Sequence, residues 1–217
     1  MKLKKTNLVF LGAPGAGKGT FAKMLQDVVP LAHISTGDLL RAEKASGSAL
    51  GKQLAAIMDA RKLVTAELVG EMVKTRLSQP DCQAGFILDG YPRTQKQAEM
   101  LNSILAGIGK SLDAVIFFDV PDDIVLERLT ARLTCAKCGA IFNKLCLKPA
   151  KAGICDYCGG ELIQRSDDSL ETAKGRLEVF HSSTAPLIDF YRKSGLLMPL
   201  TELDKDKKFQ DLLAALR

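Results

Sequence analysis

Residues 12–20 read Gly-Ala-Pro-Gly-Ala-Gly-Lys-Gly-Thr. Glycine-rich backbone of this kind lets successive N–H groups turn toward one anionic centre, and a helix starting at the lysine adds its partial positive charge. The pattern is that of a phosphate loop, with Gly15, Ala16, Gly17, Lys18, Gly19 and Thr20 against the phosphates of a bound nucleotide. Lys18 is placed to bridge the outer phosphates and to stabilise charge that moves during phosphoryl transfer. One departure narrows the class. The common pattern has Ser or Thr directly after the lysine, touching magnesium, whereas here Gly19 holds that place and Thr20 follows. This argues against a generic motor or switch NTPase. It favours magnesium held through waters, with Asp89, the carboxylate ending the apolar run Gly85–Asp89, as their anchor.

A second set of chemistry-bearing residues lies in the later half. Cys135-Ala136-Lys137-Cys138-Gly139 and Cys155-Asp156-Tyr157-Cys158-Gly159 form two C-x-x-C pairs. Two intervening residues let both thiolates of a pair meet one ion, and the glycine after each pair permits a tight turn. Four thiolates close a tetrahedral site and leave no position for substrate, so the expected ion is a structural zinc. Two disulfides or four reduced thiols are the alternatives, and the spacing does not separate zinc from iron or cobalt. Cys82 and Cys146 have no partner motif and read as ordinary thiols; His33 and His181 read as structural.

Further motifs carry a family resemblance. Asp89-Gly90-Tyr91-Pro92-Arg93-Thr94, Ser35-Thr36-Gly37-Asp38-Leu39-Leu40-Arg41 and Arg165-Ser166-Asp167-Asp168 follow the phosphate loop in order. Together they resemble the adenylate kinases, and the four-cysteine segment resembles the lid of the zinc-containing, long-lid type. The resemblance covers all but roughly the last fifteen residues. It implies reversible phosphoryl transfer from MgATP to AMP, giving two ADP. It implies Thr36, Val64 and Gln97 around the AMP adenine, Arg41 and Arg93 on the AMP phosphate, and close backbone approach at Gly90. Arg128 and Arg132 would reach ATP, and Phe142 would pack beside its adenine. Arg165 and Arg176 would close over the phosphates, with Asp167 and Asp168 fixing those arginines or the lid. Planar guanidinium forks suit oxyanions. An arginine-rich site without a catalytic Ser, Cys or His is what this chemistry needs, because positioning and charge stabilisation do the catalysis.

These residues need a frame. Thr6–Leu11, Gly85–Asp89, Asp113–Val120 and Leu196–Leu200 read as buried strands. Helical periodicity covers Gly17–Val28, Ala66–Ser78, Thr94–Ala106, Pro121–Arg132 and Ser169–Lys193, with Pro121 in the first turn of its helix. Strands alternating with helices imply an α/β fold, a three-layer core around a parallel sheet. Two segments interrupt the alternation. Residues 35–64 are mainly polar and helical, the expected AMP-binding insertion, with Asp38 a candidate helix cap. Residues 131–168 lack helical periodicity and form the expected zinc-bearing lid. Residues 1–34, 65–130 and 169–217 form the core.

Composition bounds the rest. The chain has 217 residues, 47% hydrophobic, enough for a sizeable core, and a net charge of +5 that suits anionic small molecules. Aromatic residues make up only 6%, with no Trp, which leaves little for stacking nucleic-acid bases. No apolar run is long enough to span a bilayer, and Gly12–Gly15 break the one that could imitate a signal peptide. The expectation is a cytosolic monomer acting on ATP, AMP and ADP, without nucleic-acid or membrane partners. Two other readings compete: a kinase for a different nucleoside monophosphate, and a zinc-ribbon nucleic-acid-binding module on an ATP-binding core.

Overall fold

The computed structural model describes residues 3–59, 64–165 and 167–217. Ser166 of the Arg-Ser-Asp-Asp motif and residues 60–63 of the expected AMP-binding insertion lie outside the described residues. In chain order the elements are β1 (Asn7–Leu11), α1 (Lys18–Gln26), β2 (Ala32–Ser35), α2 (Thr36–Ala45), α3 (Ala49–Asp59) and α4 (Ala66–Leu77). There follow β3 (Phe86–Asp89), α5 (Gln95–Gly107), β4 (Ala114–Phe118), α6 (Asp122–Thr130), β5 (Arg132–Cys135), β6 (Ile141–Asn143) and β7 (Leu162–Ile163). The chain ends with α7 (Leu170–Val179), α8 (Pro186–Lys193), β8 (Leu197–Leu200) and α9 (Lys205–Leu216).

Five strands form a parallel sheet in the order β2-β3-β1-β4-β8. Alternation along β1 explains its two faces. Leu8 and Phe10 enter a core shared with Ile87, Ile116, Phe118 and residues of α1, α6, α7 and α9. Val9 and Leu11 enter another with Ile34, Leu88, Val115 and residues of α4, α5 and α8. Strands buried on both faces must be nearly all apolar, which is why they were readable as continuous runs. The carboxyl ends of β1, β3 and β4 lie side by side, with Phe10 opposite Asp89 and Leu11 opposite Phe117. The connection leaving β1 runs to β2 on one side and that leaving β3 crosses to β4 on the other, and ligands of open α/β sheets bind at such a switch point.

Several elements differ from the sequence expectation. Ala32–Ser35, unassigned in the sequence, is the edge strand β2, only four residues long. Helix α9 has a largely charged exposed face; only Lys208, Leu212, Leu213 and Leu216 are buried, and the Asp204 carboxylate caps its amino end. The expected single helix Ser169–Lys193 is broken at Phe180–Thr184 by a π-type turn, closed by the Ala185 N–H donating to the Phe180 carbonyl at 2.8 Å. Pro186, which has no N–H to give, follows at once. Pro121 is the N-cap of α6 rather than a residue of its first turn. Ser35, not Asp38, caps α2, accepting from the Asp38 N–H at 3.3 Å.

Two structures leave the sheet. Helices α2 and α3 form an arm after β2, while β6-β5-β7 make a small antiparallel sheet after α6. Among the described residues no helix is long and apolar enough to cross a membrane.

Candidate active site

The phosphate loop leaves β1 and turns into α1 with Gly15 at φ 90° and Gly17 at φ 99°, where L side chains are strained. A Cβ on Gly15 would also lie 2.8 Å from Leu129 Cγ, so the loop packs against α6 only as glycine. Lys18 opens α1, and its ammonium donates to the carbonyls of Gly12 and Ala13, each at 2.9 Å. Burial pushes its pKa down to about 8; Asp89 opposes this, and Arg93, Arg176 and Arg132 add to it. Those three arginines, from three different segments, therefore share one electrostatic site with the lysine.

Asp89 ends β3 beside that site. Burial alone would raise its carboxyl pKa. The His33 imidazole, 3.5 Å away on β2, and the charges of Lys18 and Arg93 outweigh burial and hold it below the usual carboxylate range. An ionised carboxylate at this position fits a water-bridged divalent cation.

On one side of Lys18 stands a hydrogen-bonded chain. The Thr36 hydroxyl donates to the Gly90 carbonyl at 2.9 Å, Arg93 Nε donates to that same carbonyl at 2.9 Å, and the Arg93 N–H donates to Gln97 Oε1 at 2.7 Å. Thr36, Gln97 and Val64 are buried. Arg41 pairs with Asp38 on α2, and its charge, after burial and against Asp89, lowers the pKa of Arg93.

On the other side, Arg132 at the start of β5 grips Asp168 in a bidentate pair, Nε donating to Oδ2 at 2.8 Å and Nη2 to Oδ1. Asp168 is 1% exposed. Arg176 reaches Asp167 at 2.9 Å and Asp168 at 3.5 Å. Burial lowers its pKa to about 10; the two aspartates oppose this, and Arg132 and Arg93 add to it. Arg165 Nε donates to Thr134 Oγ1 at 2.9 Å, and its Nη2 stands 3.9 Å from Asp38 across the cleft. Five positive side chains thus face one cleft, from the start of α1, the segment after β3, β5, the segment after β7, and α7.

The family profile described as adenylate kinase matches residues 10–196. The adenylate kinases of Thermotoga neapolitana and Caldicellulosiruptor bescii are each 51% identical over 191 residues, 88% of this chain and 87% and 89% of theirs. That of Thermosipho melanesiensis is 45% identical over 212 residues, 97% of this chain and 99% of its own. The chain belongs to the adenylate kinase family.

Several of the expected site residues line this cleft, and others are placed differently. Phe142, expected beside the ATP adenine, is 3% exposed in the small core of the β5–β7 unit, against Cys135, Cys155 and Leu162. Its neighbour Ile141 faces the phosphate loop, because successive strand side chains point to opposite faces. Arg128 lies on α6, and its carbonyl accepts from Asn143 Nδ2 at 2.9 Å. The resemblance gave no role to His33, Thr134 or Asn143. For His33 the missing signal was β2 itself: only its pairing with β3 sets the imidazole beside Asp89.

The four cysteines meet. Their Sγ atoms all lie within 4.8 Å of one another, with Cys135–Cys158 at 3.5 Å and Cys138–Cys155 at 3.6 Å. A tetrahedral thiolate site with Zn–S bonds of about 2.3 Å needs sulfurs about 3.8 Å apart, so the donor set and its size fit such an ion. All six cysteines are free thiols, Cys82 buried and Cys146 exposed.

The lysine gives a pH test. Its folded pKa of about 8 lies below its ordinary 10.5. Between those values the unfolded chain binds more protons, so stability rises with pH across that window. Urea unfolding of the nucleotide-free protein from about pH 7.5 to about pH 9.5 should therefore show a gain that Lys18→Met lacks. Parallel curves for the two proteins would mean that the ammonium is not desolvated.

Proposed function

We propose that this adenylate kinase catalyses ATP + AMP ⇌ 2 ADP through the residues assembled around Lys18. The observation that carries the reading is the convergence of Lys18, Arg93, Arg132, Arg165 and Arg176 on one cleft between the α2–α3 arm and the β5–β7 unit. A site of this kind suits a reaction in which an oxygen of the AMP phosphate attacks the γ-phosphorus of ATP. The bridging β–γ bond breaks, and ADP leaves as ADP forms. Negative charge spreads over the transferring oxygens, and preorganised cations stabilise it. The acceptor carries its own nucleophilic oxygen, so no covalent enzyme intermediate is needed.

In this reading residues 35–64 are the AMP-binding insertion. Thr36, Val64, Gly90 and Gln97 surround the base, and Arg41, Arg93, Arg165 and Arg176 hold the phosphate. Gly15, Ala16, Gly17, Lys18, Gly19 and Thr20 cradle ATP, with Arg128 and Arg132 over it. Residues 131–168 are the lid, and residues 1–34, 65–130 and 169–217 the core. When bound, magnesium would neutralise charge on the ATP phosphates, and Asp89 would hold its waters. A zinc ion on Cys135, Cys138, Cys155 and Cys158 would be structural, tying together a unit whose buried apolar residues are few. Free thiols at zinc-ligand spacing support a reducing, cytosolic setting.

The direct test is to mix the purified protein with ATP, AMP and magnesium and measure ADP. UMP or GMP phosphorylated more efficiently than AMP would overturn the choice of acceptor. Arg93→Ala should raise the dissociation constant for AMP by about tenfold or more, the worth of one charged hydrogen-bonded contact, and that for ATP far less. Equal losses for both nucleotides would place this arginine on the wrong substrate.

For the metal, Cys155→Ser with Cys158→Ser should abolish one bound zinc per chain by elemental analysis. It should also lower the melting midpoint by several degrees, on the order expected for a few kcal/mol. Turnover well below that midpoint should persist if the lid still closes. Protein isolated without metal and with these cysteines oxidised to disulfides would refute the zinc assignment.

A further inference from the structure

Gly19 has no backbone reason to be glycine. It is the second residue of α1 and lacks the positive φ of Gly15 and Gly17. Helix interiors disfavour glycine relative to alanine. Nor does the phosphate site require it, since the common phosphate-loop pattern carries Ser or Thr after the lysine. What a side chain at this position would meet is the lid. A Cβ built on Gly19 lies 3.1 Å from Ile141 Cδ1 and 3.6 Å from Asp89 Oδ2. The first separation is shorter than the roughly 3.5–4.0 Å at which carbon atoms rest.

We propose that Gly19 is the seat of the lid: Ile141 settles on its bare Cα when the lid closes, completing closure and sealing the transferring phosphoryl group from water. Strand β6 is built for this. Phe142 is buried in the lid's own core, and Asn143 on the opposite face donates to the Arg128 carbonyl at 2.9 Å, anchoring the strand to α6. Ile141, two residues before Asn143, shares its face and is the apolar group presented to the loop. The seat adjoins Lys18 and Asp89, so an apolar plug there displaces water where hydrolysis would begin. In that side reaction a water oxygen attacks the γ-phosphorus, the β–γ bridging bond breaks, ADP leaves with the bond's electrons, and the water proton passes to solvent. Excluding water is a recognised task of closing lids.

The inference rests on the phosphotransfer reading above, and three variants test it: Gly19→Ala, Ile141→Ala and the two combined. Alanine favours the helix at position 19 and Ile141 is only half-buried, so all three should fold, with far-UV melts as the check. Gly19→Ala should lower kcat by about 10- to 100-fold, the effect of a closure that stops short, with a much smaller change in ATP affinity. Adding Ile141→Ala should restore kcat to within several-fold of the parent, because the two residues couple through one contact. Ile141→Ala alone should raise phosphate release from MgATP without AMP by roughly threefold or more. An active parent with an unaffected Gly19→Ala variant, or a loss that Ile141→Ala does not relieve, overturns the seat. Unchanged phosphate release from Ile141→Ala overturns the seal. A parent that makes no ADP from ATP and AMP overturns the functional reading beneath both.

Discussion

Five cations share one cleft, and their mutual repulsion is the constraint around which the molecule is arranged. Burial lowers the proton affinity of Lys18, Arg165 and Arg176, and the charges of neighbouring arginines lower it further. Such a cluster holds together only if carboxylates are buried with it. Asp168 is that counterweight, 1% exposed and shared between Arg132 and Arg176. Asp89 does the same for Lys18 and Arg93. The arginines are thereby fixed before any phosphate arrives, so little reorganisation is left for the reaction itself.

The sheet supplies the geometry for that arrangement. Parallel strands of unlike connection bring the ends of β1 and β3 together, and each end carries one member of the pair Lys18–Asp89 within a few residues. The β5–β7 unit then brings Arg132 and Arg165 from one side, and the arm brings Arg41 from the other. Each of these units is pinned by polar contacts to the core: the Thr36 hydroxyl to the Gly90 carbonyl, and Asn143 to the Arg128 carbonyl.

How much was legible follows from which residues act locally. The phosphate loop, the two cysteine pairs and the long apolar strands announce themselves because spacing alone determines their chemistry or burial. Most of the arginines were placed by family resemblance rather than by pattern, since a single Arg in a helix looks like any solvated one. What escaped depends on pairing. His33 gains its place only through β2, a four-residue edge strand too short for periodicity to reveal. Phe142 was expected in the cleft and Ile141 was passed over, because a strand of three residues gives no sequence cue to which face is which. Helix α9 hid behind a charged exposed face, and the π-type turn at Phe180–Thr184 interrupts a pattern that reads as unbroken helix.

The contact between Arg165, just past β7, and Asp38 on α2 is an ion pair that joins the β5–β7 unit to the arm. It is long, at 3.9 Å, and its aspartate side chain is 61% exposed. A pair of that kind contributes about 0–1 kcal/mol and weakens further with ionic strength. This pair alone therefore ties the β5–β7 unit to the arm only feebly. An enzyme that must shed two charged products in every cycle is served by such a weak clasp, since a strong one would turn its own closed form into a trap and make dissociation the slow step.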